Sequence, residues 1–139
     1  MADRSLPGSE DSLLVRTSFA DPDAWRAARS AATAENADGF RAYVRVVDDR
    51  AWDGATVAEI RGAALAGDHA SVLFVVDALA TQPDYPIFVV DLSPAGSEPF
   101  RCIARELWSV ENNLNLANMD WDEFASSTGP DGVYRGAPS

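Results

Sequence analysis

The sequence predicts an α/β domain with a layered, mostly parallel central sheet, flavodoxin-like or Rossmann-like, and helices on both faces. Strand-like and helix-like segments alternate along the chain, the order that builds βαβ layers. Ser71–Val76 (SVLFVV) and Ile87–Val90 (IFVV) are continuous apolar runs, as in strands covered on both faces. Asp21-Pro22-Asp23 and Thr56-Val57-Ala58-Glu59 carry the capping signals that open helices between such strands.

In chain order, Ser12–Phe19 (SLLVRTSF) reads as the first strand. Asp21 then offers an N-cap, Pro22 a preset helical φ, and Asp23 a carboxylate matched to the helix dipole. A helix therefore runs through Ala34, with Trp25, Ala28, Ala31 and Ala32 on one face. Phe40–Val47 (FRAYVRVV) alternates: Phe40, Ala42, Val44 and Val46 point one way, Arg41, Tyr43 and Arg45 the other. One wet face places this strand at a sheet edge. The second helix starts at the Thr56 capping box and ends near Gly67. Residues 78–86 are fewer than a parallel crossover needs, so this connection is a one-turn crossover or a reversal. Phe100–Trp108 (FRCIARELW) fits both a helix and a strand start. Ser97-Glu98-Pro99 favours the helix, with Leu114–Met119 as a last strand and Trp121–Ser126 as a short helix capped by Asp120. The resulting division is a polar tail over 1–11, one domain over 12–128, and a Gly- and Pro-rich tail over 129–139 that packs through Val133 and Tyr134.

A chain of 139 residues is long enough for one hydrophobic core. No apolar run approaches a membrane span, and Met1–Asp11 lacks the basic and apolar regions of a secretory signal, so a cytoplasmic location is expected. Cys102 is the single cysteine, which excludes an internal disulfide and a multi-cysteine metal site. All eleven basic residues are arginine. Without lysine, Schiff-base chemistry, a pyridoxal phosphate anchor and a Gly-Lys-Ser/Thr phosphate loop are excluded. No cofactor or metal is expected. A formal charge of −11 repels nucleic acid and anionic membrane surfaces and suits a basic partner protein.

Candidate chemistry sits in three places. The strands end in acid at Asp48-Asp49, Asp77 and Asp91, and ligands of parallel sheets bind beyond the carboxyl ends of strands. Side by side, Asp77 and Asp91 would form an acidic catalytic or binding site; alternatively each caps its own turn. Arg41, Tyr43 and Arg45 share one strand face that could hold a carboxylate or phosphate. Trp108–Phe124 (WSVENNLNLANMDWDEF) concentrates amides, acids and tryptophans, and Asn112, Asn113, Trp121, Asp122 and Glu123 are the candidate partner contacts. His69 precedes the third strand, away from that crevice, and Cys102 lies in an apolar pattern typical of inert buried cysteine.

The segments NNLNLANMDWDEF and DGVYRG, with FVVDALA, PIFVVDL and PFR upstream, resemble an actinobacterial protein family of unknown function. The resemblance covers about three quarters of the chain from Ser12 onward and implies no activity, cofactor or catalytic residue. The expected function is a non-enzymatic acidic interaction protein, immunity-like or accessory, that binds a basic partner. The alternative is a small enzyme or ligand-binding domain using Asp77 and Asp91.

Overall fold

The computed structural model describes residues 6–65, 71–93 and 96–136. Gly67 and His69 lie outside them. Among the described residues six strands form one sheet: β1 (Ser12–Arg16), β2 (Val44–Val47), β3 (Val72–Val76), β4 (Pro86–Asp91), β5 (Phe100–Ile103) and β6 (Val133–Tyr134). Their spatial order is β2-β1-β3-β4-β5-β6. The β1–β2, β1–β3 and β5–β6 pairings are parallel, whereas β3–β4 and β4–β5 are antiparallel. The protein is thus mixed α/β with a mostly parallel sheet. A flavodoxin-like sheet would be parallel throughout, and here β4 runs against both neighbours.

Among the described residues four α-helices accompany the sheet: α1 (Pro22–Thr33), α2 (Val57–Leu65), α3 (Leu107–Asn115) and α4 (Trp121–Ala125). Alternation along β1 shows which face each one covers. Leu14 belongs to one buried cluster with Trp25, Ala28 and Ala32 of α1, Leu107 and Val110 of α3, and Phe124 of α4. Leu13 and Val15, on the opposite face, pack with Ile60 and Ala64 of α2 and with Trp52. Both helix starts follow their local chemistry. The Asp21 side chain accepts from the Ala24 amide, and Thr56 and Glu59 satisfy one another's amides.

Two expectations are corrected. Phe100–Ile103 is a strand and Leu107–Asn115 a helix, so the helix does not start at Pro99 and Leu114–Met119 is not a strand. A 3₁₀ turn over Ala104–Glu106 joins the two periodicities: Phe100 and Cys102 alternate inward against β4, while Leu107, Val110 and Leu114 hold one helix face. The second strand is also shorter than Phe40–Val47, because β1 offers pairing partners only from Ser12, opposite Val44. Phe40 instead stacks on Trp108 with ring centroids 5.0 Å apart. Beyond residue 128 the chain rejoins the sheet as β6, with Val133 and Tyr134 both buried.

The connection between β3 and β4 explains the antiparallel turn. A short 3₁₀ helix, Leu79–Thr81, leads into a reversal where Asp84 and Tyr85 adopt left-handed φ values of 69° and 50°. No crossover helix fits in so few residues. Replacing Leu14, which is fully buried, by Ala is expected to destabilise the fold by about 2–5 kcal/mol in urea unfolding. Leu116→Ala, at a position 68% exposed, is expected to change it by less than about 0.5 kcal/mol.

Candidate functional site

The acids at strand ends part company in space. Asp91 pairs with Val72 at the start of β3, whereas Asp77 follows the last residue of β3. Five residues of strand separate those positions, roughly 17 Å at about 3.3 Å per residue. The two carboxylates therefore form no joint acidic site, and each is engaged locally. Asp77 receives both Arg101 guanidinium nitrogens, at 2.9 and 2.7 Å, and the Ala80 amide at 3.0 Å. Asp91, only 7% exposed, accepts from the amides of Ser93 and Ser97, both at 2.8 Å. Burial pushes the Asp77 pKa up, but the hydrogen bonds from Arg101 and Ala80 and the charge of Arg101 outweigh it and leave the pKa lowered. For Asp91 burial is likewise outweighed, by the Ser97 and Ser93 hydrogen bonds. Asp48 pairs with Arg16 at 3.1 Å, and Asp49 caps the 3₁₀ turn Arg50–Trp52 through the Ala51 amide.

Arg41, Tyr43 and Arg45 do share an exposed side of the edge segment. The Arg41 guanidinium lies 5.5 Å from the Tyr43 ring centre. Arg45 instead donates to the Gly8 carbonyl at 3.0 Å, so the two guanidinium groups are not both free for one anion.

The amide-rich segment divides into braces and a rim. Asn112 donates to the carbonyls of Arg41 and Trp108, and Asn113 donates to Ser109. Asn115 donates to Ser12 and Glu111 and accepts from Ser71. Glu111 is itself buried and receives the Tyr43 amide. These groups tie α3 to β1, to the start of β3 and to the approach to β2. Glu123 is spent on the Asp120 amide at the start of α4. Trp121 and Asp122, by contrast, line a hollow of about 390 Å³ with Asp91, Asp120, Ser71, Ser93, Ser97, Leu114 and Met119. The hollow thus joins one strand-end acid, Asp91, to two of the candidate partner contacts. The Trp121 indole is anchored by its N–H on the Glu98 carbonyl at 3.0 Å and by an edge contact with Phe100. Arg61 of α2 steadies the far wall by donating to the carbonyls of Asp91 and Ser93.

A second crevice of about 480 Å³ opens beyond the carboxyl ends of β1 and β3, lined by residues 17–20, Arg50, Asp53, Gly54, Asp77 and Ala78. Sequence reasoning reached it through Asp77 and missed Phe19, Arg50 and Asp53. Their signal was positional: they lie in the loops that leave β1 and β2, where parallel sheets hold ligands. Among the described residues no group of three His, Cys, Asp or Glu side chains is arranged to hold a metal ion, and no helix is long and apolar enough to cross a membrane.

Residues 11–137 match the model of a family described as a domain of unknown function, DUF6924, and the chain belongs to that family. No curated protein and no solved structure matches it.

Two measurements follow from this geometry. The folded pKa of Asp77 is lower than its ordinary value of 3.8, so its ion pair contributes stability that is fully present above that pH. The contribution is lost as pH falls through the folded value. Urea unfolding of the wild type and Asp77→Asn is therefore expected to differ most at neutral pH, with the gap narrowing below pH 3.8. Cys102 is buried, and burial, with the Glu106 charge adding to it, pushes its thiol pKa well up. Alkylation by iodoacetamide is expected only after denaturant unfolds the chain.

Proposed function

We propose that this chain is a non-enzymatic interaction domain that receives a basic segment of a partner protein in the hollow beside α4. The observation that carries this reading is the composition of that hollow. Asp91, Asp120 and Asp122 stand around Leu114, Met119 and Trp121, and among the described residues no basic side chain lines it. A guanidinium or ammonium entering there meets carboxylates and an indole, while its aliphatic stem packs on the leucine and methionine. The formal charge of −11 adds long-range attraction for a basic partner and makes association sensitive to salt. A role as an accessory or immunity-like factor is consistent with an acidic surface that captures one basic protein. The arginine-only basic set and the character of the C-terminal segment also support an actinobacterial origin.

Acetylated, amidated tri-arginine is the probe. Titrated into the protein at low salt, it is expected to shift the Trp121 indole N–H resonance saturably, and added sodium chloride should weaken the binding. The double variant Asp120→Asn with Asp122→Asn preserves the side-chain cap of α4 and is expected to weaken binding several-fold. Absence of binding at low salt, or equal binding by the double variant, would refute the proposal.

A further inference from the structure

The crevice at the other end of β3 has a different chemistry. Parallel strands β1 and β3 are neighbours, and the chain leaves them in opposite directions. From β1 it passes to α1 and then to β2, while from β3 it turns to β4. Diverging loops leave an opening between the two strand ends, the place where open α/β sheets bind ligands. Its volume of about 480 Å³ is in the range that encloses a small molecule.

Most charges around the opening are already matched. Arg16 is spent on Asp48 and on the Ser18 carbonyl, and Asp77 is spent on Arg101. Arg50 and Asp53 remain. They stand three apart across a 3₁₀ turn, a spacing that stacks side chains on one side. Yet they form no ion pair among the described residues. The Arg50 guanidinium lies instead 5.3 Å from the centre of the Phe19 ring, whose neighbourhood is also occupied by Arg16 at 4.1 Å. One cation and one anion outside any ion pair among the described residues thus border the opening beside Thr17 and Ser18, while Asp77, also in its lining, is held by Arg101.

A phosphate is a poor match. Phosphates bind where a helix N-terminus presents free amides, and here Asp21 occupies the start of α1 and Thr56, backed by Glu59, the start of α2. A carboxylate needs only the guanidinium fork, and an ammonium beside it would meet Asp53. We infer that this crevice binds a small zwitterion of the free α-amino acid class, with Arg50 receiving the carboxylate and Asp53 the ammonium group. The site is independent of the acidic hollow, which begins at Ser71 at the opposite end of β3.

The test is an NMR titration of the full chain with each standard L-amino acid in turn, and with acetate, methylammonium and inorganic phosphate as single-charge probes. At least one amino acid is expected to shift the amides of residues 17–20 and 50–55 saturably, with the single-charge probes at least about tenfold weaker. Arg50→Gln and Asp53→Asn are each expected to weaken that binding by about tenfold or more. Arg105→Gln, outside the crevice, should leave it unchanged. Acetate or phosphate binding as tightly as the best amino acid would overturn the zwitterion assignment. Failure of every amino acid to produce a saturable shift would overturn the site.

Discussion

The length of one connection organises this molecule. Residues 77–85 join β3 to β4, too few to cross the sheet and return parallel, so the chain turns back on itself through Asp84 and Tyr85. That reversal carries Asp91 to the end of the sheet where β3 begins and leaves Asp77 at the other end, beside β1. β5 in turn lies antiparallel to β4, and its Arg101 reaches Asp77. Two separate hollows replace a single acidic cleft, one next to Trp121 and one next to Phe19.

Much of the fold was legible because its signals are local. The α1 cap at Asp21 and the α2 box at Thr56 are written in three or four adjacent residues, and the structure uses both. The continuous apolar runs of β3 and β4 required cover on both sides, and α1 and α2 supply it for β3. Phe100–Trp108 was ambiguous for a physical reason. A strand facing α4 and a helix facing α1 are joined there by a 3₁₀ turn with no Gly or Pro, so either period can be traced through the segment. What local signals omit is direction. Whether a strand returns parallel or antiparallel depends on connection length and turn geometry, and the pairing of Asp77 with Asp91 depended on that direction.

The amide-rich segment shows why composition underdetermines role. Asn112, Asn113 and Asn115 look alike in sequence, and all three spend their side-chain amides inside the protein. Trp121 and Asp122, a few residues on, face the hollow. The difference comes from the helix end at Asn115 and the left-handed Ala117, with φ of 57°. These turn the chain so that Asn115 reaches Ser12 of β1 while Trp121 and Asp122, beyond the turn, face the mouth beside Asp91.

The edge strand β2 has a consequence for how copies of this protein meet one another. Among the described residues its outer edge has no strand partner, and such edges invite pairing with a second molecule. Arg41 and Arg45 project from this edge segment. Two molecules aligned there head to tail would bring guanidinium groups face to face, and like charges directly opposite destabilise a pairing. In a protein with a formal net charge of −11, these two arginines place like positive charges along β2's approach and edge, which weighs against a second copy adding there as a strand.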